Sequence, residues 1–64
     1  MEKNINKQMS LEEYKKRAEE WIRKTYPNYT ETSIASITSK ENCQAYMEDF
    51  SPEVMVQGLI AGLI

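Results

Sequence analysis

The side chains that could carry covalent or acid–base chemistry are few, and their spacing assembles no catalytic set. The sole thiol is Cys43, and the chain contains no histidine to take its proton. A thiol without a base or cationic neighbour stays protonated near neutral pH and is a weak nucleophile. Cys43 also opens an apolar pattern with Tyr46, Met47 and Phe50 at i, i+3, i+4 and i+7, which is the signature of a core face. Glu48 and Asp49 are adjacent, but neighbours on a helix splay by about 100°, so they read as a solvated edge. With no histidine and one cysteine, the usual zinc ligands are missing. The two glycines, Gly58 and Gly62, both fall inside a predicted helix, so there is no glycine-rich phosphate loop. The expectation is a non-enzyme with no catalytic residue, no cofactor-binding residue and no metal ligand.

Two other patterns could carry function. Lys15-Lys16-Arg17 and Arg23-Lys24, with Tyr14 and Trp21 nearby, could contact nucleic acid phosphates and bases. Against this, every basic residue of that segment except Lys15 has a glutamate four positions before it: Glu12–Lys16, Glu13–Arg17, Glu19–Arg23 and Glu20–Lys24. Such pairs neutralise the cationic stripe that phosphate contact needs. The segment best placed to be a recognition helix, residues 39–50, is acidic. Nucleic acid is therefore a disfavoured partner, and a small DNA-binding regulator stands as an alternative.

The second pattern is Gly58-Leu59-Ile60-Ala61-Gly62, a small-xxx-small repeat that lets helix backbones approach closely. On that helix Val54, Gln57, Gly58, Ala61 and Gly62 form a narrow, mostly small side, opposite bulky Met55, Val56, Leu59, Ile60 and Leu63. Glycine costs about 1 kcal/mol against alanine in a helix interior, so a packing gain should offset it. One reading places Trp21 or Tyr14 of the same chain against the small side. A second places a second copy or another protein there, and a third takes the glycines as a fraying C-terminal end with no packing role.

The elements that would position these residues follow from local signals. Ser10-Leu11-Glu12-Glu13 is a capping box, with Met9 and Tyr14 at the staple positions. Leu11, Tyr14, Ala18, Trp21 and Ile22 then share one helix stripe. Pro27 ends it. Residues 28–38 are ambiguous. Asn28-Tyr29-Thr30-Glu31 can cap a second helix, and Ile34 and Ile37 share a face at a spacing of three. The β-branched content also suits a strand, which would need a partner strand from another chain; the balance favours a short helix. A third helix begins near Thr38-Ser39-Lys40-Glu41 and carries the Cys43 face through Phe50. Ser51 and Pro52 reset the chain as cap and first helical residue of a fourth, apolar helix running to about Leu63. The hydroxyl-rich stretch from Thr30 to Ser39 reads as a polar helix face with caps.

The expected architecture is all-α, a small bundle of three or four short helices. Residues 1–9 are expected to be a disordered, flexible tail, and residues 10–64 a single helical domain. The expected core holds Leu11, Tyr14, Ala18, Trp21, Ile22, Ile34, Ile37, Cys43, Tyr46, Met47, Phe50, Met55, Leu59, Ile60 and Leu63. A chain of 64 residues supplies at most about 3–5 kcal/mol from its own core, and its single cysteine forms no internal disulfide. Oligomerisation is the remaining staple. The apolar stretch from Val54 to Ile64 is too short for a span of about 20 residues, no apolar run opens the chain as a signal peptide would, and a lone cysteine suits a reducing cytoplasm. Residues 1–26 carry a balance of +2 and residues 27–64 one of −4, an asymmetry that favours contact between unlike halves. The sequence thus points to a cytoplasmic protein-interaction or accessory protein that forms a homodimer through its C-terminal helix or binds another protein. A further alternative is an inhibitor or accessory subunit that docks its acidic half on a basic protein surface.

Overall fold

The computed structural model describes residues 9–64, and within them it is a small all-α fold. Four helices run in order: α1 (Leu11–Thr25), α2 (Glu31–Ile37), α3 (Lys40–Tyr46) and α4 (Pro52–Ala61). The tail expected over residues 1–9 lies outside the described residues except for Met9, which packs against the core instead of trailing free.

Each helix starts on a hydroxyl. The side chains of Ser10, Thr30, Ser39 and Ser51 accept from the backbone N–H of Glu13, Ser33, Asn42 and Val54 respectively. Each bond satisfies one of the amides that a helix start leaves open. Residues 31–37 are helical, so the strand alternative is set aside. The second cap is Thr30 and not Asn28, because a turn closed by the Tyr29 N–H on the Tyr26 carbonyl, 3.0 Å, takes up Asn28. The third helix is shorter than its apolar pattern predicts. It ends at Tyr46, and the N–H groups of Asp49 and Phe50 both return to the Tyr46 carbonyl in a tight turn.

Helix α1 is the central element and packs against α2, α3 and, most extensively, α4. The buried core is Tyr14, Ala18 and Ile22 of α1, Ile34 of α2, Cys43 of α3, and Met55 and Val56 of α4. Leu11, Trp21, Ile37, Tyr46, Met47, Phe50, Leu59 and Ile60 are half-buried around it. Leu63, expected in the core, is 80% exposed. The cause is local. Gly62 adopts φ 75°, which leaves the helix and turns the chain outward. The Leu63 N–H bonds the Gly58 carbonyl at 2.8 Å and the Gly62 N–H bonds that of Leu59 at 3.3 Å. This is the Schellman closure, and it favours glycine at the left-handed position.

Polar links tie the pieces together. The Tyr14 hydroxyl donates to the Phe50 carbonyl at 2.7 Å, joining α1 to the turn before α4. The Asn42 amide donates to the carbonyls of Ile37 and Ser36 at 3.0 and 3.3 Å, covering open acceptors at the end of α2. Buried Thr38 donates to the Ile34 carbonyl at 2.8 Å, so its hydroxyl is satisfied, as a buried polar group must be.

Candidate interaction surface

The exposed side of α4 is built by three features of its sequence. Ser51 and Pro52 start the helix, Met55 and Val56 anchor it on the core, and Gly62 stops it after ten residues. This register turns Val54, Gln57 and Ala61 to the outside. Val54 is 47% exposed, and the segment after the helix adds Leu63 and Ile64, the latter 42% exposed. These three are the exposed large hydrophobics among the described residues, and all lie within the last eleven positions. No ionisable side chain lies between Val54 and Ile64.

The five residues singled out on the small side therefore divide into two groups. Val54, Gln57 and Ala61 lie together on open surface. Gly58 is buried, and a Cβ there would fall 2.9 Å from Cδ1 and Cγ1 of Ile64. The notch left by the missing side chain is filled by the chain's own Ile64, not by Trp21 or Tyr14. Gly62 serves the left-handed turn, and a Cβ there would meet nothing within 4 Å. The spacing of four between the glycines thus has two local causes. Leu63 and Ile64 were missed as surface residues because the sequence pattern extends the helix past Gly62; the signal that could have revealed them is glycine as a C-terminal helix stop.

The groups considered for catalysis are placed apart. Cys43 is buried, its thiol contacts the Thr38 carbonyl at 3.6 Å, and burial raises its pKa. Glu48 and Asp49 are exposed in the turn after α3. The basic residues of α1 are paired differently from the expected i,i+4 scheme. Lys15 pairs with Glu19. Arg17 lies 3.9 Å from Glu53 of α4. Arg23 reaches across to Glu31 of α2 with two bonds, at 2.7 and 3.3 Å. Surface side chains choose partners by reach and tertiary neighbours, and an i,i+4 pair contributes only about 0.2–0.5 kcal/mol. These hydrogen bonds, with the mutual attraction of the two charges, raise the pKa of the Arg23 guanidinium and lower that of the Glu31 carboxyl.

A cleft of about 200 Å³ lies between α1 and the start of α4, lined by Arg17, Glu20, Trp21, Lys24 and Glu53. Two cations and two carboxylates offset each other around the half-buried indole. Trp21 stacks edge-on with Tyr26, ring centroids 5.8 Å apart, and Tyr26 meets Tyr29 at 5.6 Å. Rings this close leave no gap between them for a ligand, so the three aromatics act as packing around the α1–α2 junction. No helix among the described residues is long and apolar enough to cross a membrane.

No family model matches the chain, and no curated protein or solved structure matches it either.

Proposed function

We propose that the protein is a small, non-enzymatic interaction protein that self-associates through the exposed side of α4 and the segment after it. The observation that carries this reading is the concentration of exposed large hydrophobics, Val54, Leu63 and Ile64, on one stretch without ionisable side chains. Exposed apolar residues gathered on one stretch point to a contact site, whereas scattered ones need no explanation. The non-enzymatic part of the reading is supported by the chemistry of the candidate groups. Burial pushes the Cys43 thiol pKa up, and the adjacent carboxylates Glu48 and Asp49 sit in open solvent. A reducing, cytoplasmic setting belongs to the same proposal and suits a free buried thiol.

Light scattering across a concentration series tests the reading. The average mass of the wild type should rise with concentration. The variant Val54→Lys/Leu63→Lys should stay monomeric with unchanged helicity, because both positions are on the surface and carry no core packing. A wild type that remains monomeric throughout would overturn the proposal.

A further inference from the structure

We draw no further inference here: the strongest candidate, the exposed side of α4 with Val54, Gln57 and Ala61 and the segment of Leu63 and Ile64 after it, carries nothing beyond the proposed self-association, because nothing in the structure shows what covers it.

Discussion

Helices α1 and α4 form the largest contact in the fold, yet they present opposite surfaces to solvent. The outer side of α1 carries Glu12, Glu13, Lys16, Arg17, Glu20, Arg23 and Lys24. The outer side of α4 carries Val54, Gln57 and Ala61. Charges on α1 give that helix a well-solvated exterior and local partners such as Glu19 for Lys15. The exposed side of α4 has only the weak solvation of apolar groups and one amide. Two helices can therefore both contribute to a core and differ entirely in what they offer to other molecules. The contrast assigns stability to the inward faces of both helices, and the proposed association concerns the outward face of α4 alone.

The largest effects should come where the two helices are alike. Ile22 on α1 and Met55 on α4 are both fully buried. Truncation of either to alanine should cost about 2–5 kcal/mol, which approaches the whole stability of a domain this small. Urea unfolding followed by circular dichroism should find both variants largely unfolded in buffer. A mild effect at Met55 alone would show that α4 is not part of the core.

The two glycines of α4 sharpen the comparison next, because one spacing hides two roles. Gly62→Ala places a side chain at φ 75° and should cost about 1–2 kcal/mol. Gly58→Ala forces Ile64 aside, but that contact is with a half-exposed side chain at the end of the chain and not with backbone. The intrinsic helix gain of up to about 1 kcal/mol should leave this variant as stable as the wild type or slightly more so. Thermal unfolding of the two variants side by side checks the opposite signs.

A smaller effect separates α1 from the rest through Tyr14. Desolvation by burial is the chief cause that pushes its pKa up to about 12, with the charges of Cys43 and Glu53 adding to it. A group whose pKa is raised on folding contributes its stability below the unfolded value, near 10, and loses it as pH rises towards the folded value. Stability should therefore be level across neutral pH with respect to Tyr14 and decline from about pH 10 towards 12. Tyr14→Phe removes this component of the decline and costs about 1 kcal/mol at neutral pH through the lost bond to the Phe50 carbonyl. Denaturant unfolding at pH 8 and pH 10.5 compares the two proteins.

The smallest effect belongs to the exposed pair Arg23–Glu31. Glu31→Gln should lower stability only slightly, with the difference shrinking in high salt because exposed charges are screened. The Glu31 carboxyl pKa is lowered on folding, so its contribution is present above the unfolded value and fades as pH falls through the folded one. Melting curves at low and high salt measure it.

Local chemistry makes most of the fold legible in the sequence. Ser10 and Ser51 could be read as caps because a hydroxyl and the amide three residues on are fixed by the chain itself. The stripe of Tyr14, Ala18 and Ile22 was legible for the same reason: helical periodicity places them together. Features that depend on tertiary reach were not legible. Arg23 chose Glu31, eight residues away, over Glu19, because the turn at Tyr26–Tyr29 brings the start of α2 beside the end of α1. Leu63 fell outside the core because Gly62 ends the helix in the left-handed conformation, a choice that apolar periodicity does not register. Of the candidate surface, Val54, Gln57 and Ala61 could be grouped from spacing alone. Gly58 could not be separated from them until the position of Ile64 was known.

The most direct test of the contrast between the helices is the solution mass of three proteins: the wild type, Val54→Lys/Leu63→Lys on α4, and Glu13→Lys/Glu20→Lys on the outer side of α1. Measured by light scattering from low to high concentration, the wild type and the α1 variant should both shift from monomer towards dimer, and the α4 variant should remain monomeric while equally helical. Loss of association in the α1 variant with the α4 variant unaffected would contradict the account, as would a wild type that stays monomeric at every concentration.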